Sequence, residues 1–285
     1  MPADEDKYPT QSGRRRFVKG VVGSAALAGV TAGGAAALES ATNRSGAGGG
    51  PTQFVAIEIE DGPAPRGMPV IPIEIQNGEL HGLWPEVSEV TQGGRTITVA
   101  QQDVGGMTYS SAWFQYCGLQ GFPSVQPGAD ADTRFLASGG YDWLEDVEEG
   151  APLTVDMFDD YEEWGNGIGR NGLGKPARGT WRNMEGSRPM PIQVLRTPEL
   201  PRMINGEGRY SSIPGPVRSF LDAATDQNFM AWLNKCTHFC CTPQGFKTST
   251  YEDADDRAYC QCHQSIYNPF SPVQGQFVAL PRPGE

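Results

Sequence analysis

Lysine is almost missing from this chain. Only Lys7, Lys19, Lys175, Lys235 and Lys247 occur, and basic charge is carried mostly by arginine. The net charge is −12 with pI near 4.7. No basic stripe exists to neutralise a phosphate backbone, so nucleic acid is excluded as a partner. A lysine-poor, acidic surface suits a halophile's protein, kept hydrated in very salty surroundings; an acidic docking face for a basic partner is the competing reading. Hydrophobic residues are also sparse, at 38% of 285, while Gly 37 and Pro 23 point to turn-rich β structure rather than long helices. That length gives room for one sizeable domain plus appendages.

Histidine is scarcer still, which makes its positions informative. Two of the three histidines and five of the six cysteines fall between positions 236 and 263, too concentrated for packing chemistry. Each half of that stretch supplies one thiolate and one imidazole: Cys236 and His238 as C-x-H, Cys260 and His263 as C-x-x-H. Four such ligands could hold zinc, but zinc spacing usually opens with a Cys pair and closes with a His pair. A two-iron cluster with both thiolates on one iron and both imidazoles on the other needs the mixed pairing seen here.

At these residues the chain resembles the Rieske iron-sulfur proteins of cytochrome bc-type complexes. That family carries C-T-H-x-x-C and C-x-C-H-x-S-x-Y; this chain reads C-T-H-F-C-C from Cys236 and C-Q-C-H-Q-S-I-Y from Cys260. The resemblance implies a [2Fe-2S] cluster with Cys236 and Cys260 on the inner iron and His238 and His263 on the outer, solvent-facing iron. It implies a disulfide between Cys241 and Cys262 tying the two cluster loops together. Ser265 and Tyr267 fall where the family places hydroxyls donating to a bridging sulfur and to a cysteine sulfur, which should raise the reduction potential. Two departures stand out: Cys240 and Gln264 replace family glycines, so either Cys240 or Cys241 could pair with Cys262, with register favouring Cys241. Prolines after Tyr267, in Asn268-Pro-Phe-Ser-Pro and then at Pro281 and Pro283, look like the family's loop covering the cluster.

The fold expected is all-β: a Rieske-type antiparallel β sandwich with a small cluster-binding subdomain, preceded by an N-terminal transmembrane helix. Residues 1–40 read as a twin-arginine signal or membrane anchor. Arg14-Arg15-Arg16-Phe17-Val18-Lys19 resembles the export motif, and a cluster protein must cross the membrane already folded. Residues 20–38 carry no charge and would span roughly 28 Å as a helix, against a hydrocarbon core of about 30 Å. A cleaved signal is the alternative to a retained anchor. Residues 41–51, with Gly48 to Gly50, read as a flexible hinge or a spacer, and Asn43-Arg44-Ser45 matches a glycosylation acceptor.

The head is expected over residues 52–285, with the cluster-binding subdomain at about 235–270. Strands are expected at 53–60, 70–75, 95–100, 191–197 and 228–234, the last delivering Cys236. Cys117 stands outside the boxes and reads as a buried thiol. Residues 142–187 read as an acidic and glycine-rich insertion on the surface; ten carboxylates lie between Asp142 and Glu163 with no basic residue among them. Gly167, Gly169 and Gly172 match G-x-G-x-x-G, yet an acidic run precedes them and Pro176 follows Lys175, which argues against a nucleotide site.

The function implied is one-electron transfer within a quinol-oxidising complex. A quinol would hydrogen-bond His238 or His263 and give up an electron and a proton, beside a cytochrome b-type membrane subunit. The electron would pass to a cytochrome or small copper protein. The expected place is the cell membrane, with a single N-terminal span and the head on the extracytoplasmic side. Two alternatives stay open: the small Rieske subunit of a molybdenum oxidoreductase such as arsenite oxidase, and an exported binding module stabilised by zinc and disulfides. Ring-hydroxylating systems fit poorly, because His81 is the only spare histidine for a mononuclear iron.

Overall fold

The computed structural model of the chain describes residues 50–92 and 95–280. The expected export signal, membrane anchor and glycosylation pattern lie outside these residues, as do Pro281 and Pro283. Of the expected hinge, Gly50 and Pro51 open the first strand. Among the described residues no helix is long and apolar enough to cross a membrane.

Among the described residues fourteen strands carry the head. In chain order the first seven are β1 (Gly50–Asp61), β2 (Met68–Ile71), β3 (Ile73–Gln76), β4 (Glu79–Gly82), β5 (Val87–Gln92), β6 (Arg95–Val104) and β7 (Met107–Ser110). The rest are β8 (Leu136–Ala137), β9 (Lys175–Trp181), β10 (Met190–Arg196), β11 (Phe229–Leu233), β12 (Gly245–Phe246), β13 (Ala258–Cys260) and β14 (Ser265–Ala279). Every pairing between them is antiparallel. The head is therefore all-β in class, with few helices.

Nine strands form one sheet in the order β12-β13-β14-β1-β2-β11-β10-β9-β8. The short β2 is the seam: it pairs with β1 through Ala56 and Ile57, and with β11 through Ala231 and Trp232. Both neighbours are apolar where they meet it, since Phe54 to Ile57 and all of β11 are buried. Removing one such aromatic, Trp232 for example, would cost about 3–5 kcal/mol in lost burial and cavity. β3 and β4 form a separate hairpin, and β5, β6 and β7 a three-stranded sheet. The β3–β4 turn is Asn77-Gly78, with φ of 54° and 83°, the two left-handed residues that a two-residue hairpin of matching twist requires.

Several expectations change at the level of single elements. The apolar run 70–75 is two strands rather than one, because Pro72 interrupts the ladder between β2 and β3. The proline-containing stretch after Tyr267 is no loop but part of the long β14, which pairs with β1. Its register jumps there: Ile57 faces Pro272 while Glu58 faces Asn268, so residues 269–271 bulge out; Pro269, with no N–H for the ladder, lies in the bulge and Pro272 resumes the pairing beyond it. The acidic, glycine-rich stretch is irregular up to residue 174, but residues 175–181 enter the large sheet as β9.

Two short α-helices carry no expectation from the sequence: α1 (Leu200–Asn205) and α2 (Gly215–Ala224). The second was findable. Val217, Phe220, Leu221 and Ala224 are buried at i, i+3, i+4 and i+7, and Pro216 sits in its first turn, where a missing N–H costs nothing.

Candidate metal centre

Two loops at one end of the large sheet bring the predicted ligands together. β11 ends at Leu233 and delivers loop one, residues 236–241; β13 and β14 form a hairpin whose connection, with its flanking residues 260–265, is loop two. Cys260 pairs with Ser265 across the base of that hairpin. Loop one closes on itself, the Cys236 N–H donating to the Cys241 carbonyl and the Cys240 N–H to the Cys236 carbonyl. A disulfide between Cys241 and Cys262 joins the loops. Register thus selects Cys241 over Cys240 as the partner of Cys262.

Cys240 is not spare, and Cys117 is not a free thiol: the two form a second disulfide, 123 residues apart in sequence. The expectation for Cys117 is corrected, and the signal was present. An odd thiol on each side of a disulfide pair leaves two cysteines to account for each other. The same segment braces loop one further, with the Tyr116 hydroxyl donating to the Lys235 carbonyl at 3.0 Å.

The two positions where glycine is replaced are both left-handed, Cys240 at φ 65° and Gln264 at φ 61°. Non-glycine residues adopt that conformation at a cost of about 1–2 kcal/mol. Each has an external restraint: Cys240 its disulfide, and Gln264 a hydrogen bond from the Tyr251 hydroxyl at 2.9 Å.

After the two disulfides, Cys236 and Cys260 remain as free cysteines, 1% and 0% exposed. The His238 and His263 rings lie 4.7 Å apart between centroids. His238 Nδ1 is buried without a hydrogen-bond partner, and so is Ser265 Oγ. The Tyr267 hydroxyl donates to Cys236 Sγ at 3.2 Å and accepts from the Thr237 N–H at 3.3 Å, which fixes its direction. Hydrogen bonding from Cys260, then from Tyr267 and the His238 backbone, outweighs burial and holds the Cys236 pKa well below that of an ordinary thiol. Cys260 moves the other way, chiefly because its proton is engaged by Cys236 and because it is buried.

These observations test whether a metal fits. Two buried free thiols, an orphaned imidazole nitrogen and a second imidazole make a mixed sulfur and nitrogen donor set, the right chemistry for zinc or a His-ligated two-iron cluster. The orphaned Ser265 hydroxyl and the Tyr267 hydroxyl supply outer hydrogen bonds of the kind that tune such a centre. Cys260 also lies with Cys241 and Cys262 in a group whose sulfurs fall within 4.8 Å of one another. That trio is no site, since the latter two are consumed in a disulfide and have no thiolate to offer.

A third segment, missed from the sequence, closes the site from below. Residues 62–67, Gly-Pro-Ala-Pro-Arg-Gly, link β1 to β2 and touch both loops. The Arg66 carbonyl accepts from Thr237 Oγ1 at 2.6 Å. A Cβ on Gly62, at φ 93°, would lie 2.6 Å from Ser265 Cα and 2.7 Å from the Gln264 carbonyl oxygen. The glycine-rich loop after the acidic run also reaches the cluster end. Asn166 donates to the Lys247 carbonyl, the Arg170 carbonyl accepts from the fully buried Lys247 ammonium, and the Arg170 N–H bonds Asp256. It is a structural strap, with no helix after it to serve a phosphate. His81 is remote in role, bonded to Thr133 in the β4 region.

On the outer face, Phe239 is 67% exposed, its ring centroid 4.1 Å from His238 and 5.3 Å from His263. No protein-family model, curated protein or solved structure matches the chain.

Proposed function

We propose that the chain is an electron-transfer subunit of the Rieske type, holding one [2Fe-2S] cluster through Cys236, Cys260, His238 and His263. The observation that carries the reading is the pair of hydroxyls at the buried thiols: Tyr267 donates to Cys236, and Ser265 is buried with its oxygen unpaired. Zinc in a structural site needs neither. When bound, the cluster supplies reversible acceptance of one electron.

The chain's own residues do the rest. Cys236 and Cys260, sealed from water, hold the inner side. His238 has Nδ1 turned inward, which leaves Nε2 as its outward nitrogen, and exposed His263 stands beside it. A quinol hydroxyl would donate a hydrogen bond to an outward imidazole nitrogen, and that nitrogen would take the proton as the electron leaves the quinol. Phe239 gives this tip an apolar contact for the ring of the quinol or the lipid-facing wall of a membrane partner. The partner implied is a cytochrome b-type membrane subunit, with a cytochrome or small copper protein as the electron acceptor, at the extracytoplasmic face of the cell membrane.

Low-temperature electron paramagnetic resonance on the dithionite-reduced full chain tests this. A rhombic signal with low average g and a positive midpoint is expected. Stoichiometric zinc with no visible absorption and no signal would overturn it in favour of a metal-stapled binding module.

A further inference from the structure

Arg66 is a cation placed where an uncompensated charge is costly. Its guanidinium carbon lies 3.7 Å from the ring centroid of Phe277, 4.5 Å from that of Tyr116 and 5.4 Å from that of Phe54. Nη1 is buried with no hydrogen-bond partner, and no carboxylate among the described residues forms an ion pair with it. Burial lowers its pKa, an effect that Tyr116 and Tyr267 partly offset. Faces of aromatic rings offset part of the desolvation of a guanidinium, but they do not replace water or a counter-ion. A leucine or methionine would fill the same space without that cost.

The position suggests what the charge is for. The Arg66 carbonyl is bonded to Thr237, next in sequence to Cys236, and Tyr267 places its hydroxyl on Cys236 Sγ. The guanidinium itself stacks on Tyr116, whose hydroxyl donates to the carbonyl of Lys235, the residue before Cys236. A centre with two thiolate ligands brings negative charge to this spot, and reduction adds one more unit. An arginine stays protonated throughout.

We propose that Arg66, a half-buried cation with its Nη1 sealed from water, favours the reduced state of the centre and so raises its reduction potential. It rests on the Rieske reading above. Arg66 touches neither substrate nor ligand sulfur, so it is a positioning residue acting through its field.

The test uses the full chain as wild type, Arg66→Met, Arg66→Lys and Phe277→Leu, each assayed for iron and visible absorption before a redox titration. Arg66→Met is expected to load iron and to lower the equilibrium constant for one-electron reduction about tenfold, a fall of about 59 mV for a one-electron couple. Arg66→Lys, which keeps the charge, should stay close to wild type. Thermal melts of the metal-free proteins give a readout of the opposite sign: Arg66→Met should melt at or above wild type, because an unpaired, half-buried charge has been removed. Were Arg66→Met recovered unfolded, Phe277→Leu would serve, since it opens the cage to water and should lower the midpoint by a smaller amount. An iron-loaded Arg66→Met, or failing it Phe277→Leu, with an unmoved midpoint overturns the proposal and leaves the Rieske reading standing. A wild type with zinc and no iron overturns both.

Discussion

Loop one, residues 236–241, and loop two, residues 260–265, bring two predicted ligands each to the same centre but are held in unlike ways. Loop two is the end of a hairpin: the β13–β14 ladder sets its register, and Cys260 sits opposite Ser265. Loop one is not a hairpin: β12, which follows it, pairs with β13 and not with β11. It leaves β11 and is fixed from outside by two disulfides, by the Tyr116 hydroxyl and by the Thr237 bond to Arg66. A loop whose flanking strands pair with each other brings its own geometry, whereas a loop whose flanking strands do not needs staples.

Removing the staples should break that contrast most visibly. In the loop-entropy account, a bridge closing about 123 residues is worth about 5 kcal/mol and one closing about 21 residues about 3 kcal/mol. Cys240 and Cys241 are adjacent, so the two losses should couple rather than simply add. Replacing Cys117 and Cys240 with serine should therefore lower global stability by more than replacing Cys241 and Cys262. Retention of metal should follow the reverse order, since only the second pair ties the ligand loops to each other. Chemical denaturation beside the rate of metal release to a chelator separates the two rankings; fastest release from the Cys117 and Cys240 variant would show that the tie between the ligand loops is not what retains the metal.

Gly62 offers a way to disturb loop two alone. An alanine there would drive a methyl group to 2.6 Å from Ser265 Cα at a left-handed φ of 93°, and backbone on both sides leaves little to yield. The expected cost is about 2–3 kcal/mol. A melt of Gly62→Ala should fall while the Cys117–Cys240 bridge still forms, which mass spectrometry of non-reduced peptides can read. A variant as stable as wild type would mean that residues 62–67 do not press on loop two.

How legible this was in the sequence differs along the same line. The nearness of His238 to His263, the placing of Tyr267 at Cys236 and the Cys241–Cys262 bridge were legible through the resemblance carried by two short motifs, and the strand into Cys236 was legible from its apolar run. What failed was contact across long separations. Nothing local to Cys117 announces Cys240, and nothing in residues 62–67 announces that they underlie Ser265 and Thr237. The prolines after Tyr267 were misjudged because proline signals a break in pairing without saying whether the break is a loop or a bulge. The departures at Cys240 and Gln264 make sense only with φ in hand, since both hold a left-handed turn without glycine.

The finest distinction between the loops is electronic. Loop one supplies Cys236 as the acceptor of the Tyr267 hydroxyl, and β14 also carries Ser265, whose oxygen is buried without a partner. On the proposed reading, the strand that loop two opens would tune a ligand carried by loop one. Tyr267→Phe removes a 3.2 Å hydrogen bond to sulfur without changing the ring, and Ser265→Ala removes a buried oxygen that has no other partner. Each donor stabilises the state with more charge on sulfur, by about 1 kcal/mol, so each variant should lower the midpoint by roughly 40 mV in a one-electron couple. Tyr267→Phe should shift it further, because its hydroxyl is also aligned by the Thr237 N–H and cannot swing away. Stability should hardly move in Ser265→Ala, where an unsatisfied buried group is lost in the metal-free protein. Redox titration of both variants gives the answer directly: midpoints equal to wild type in both would show that the hydroxyls serve packing, and that loop two contributes ligands alone.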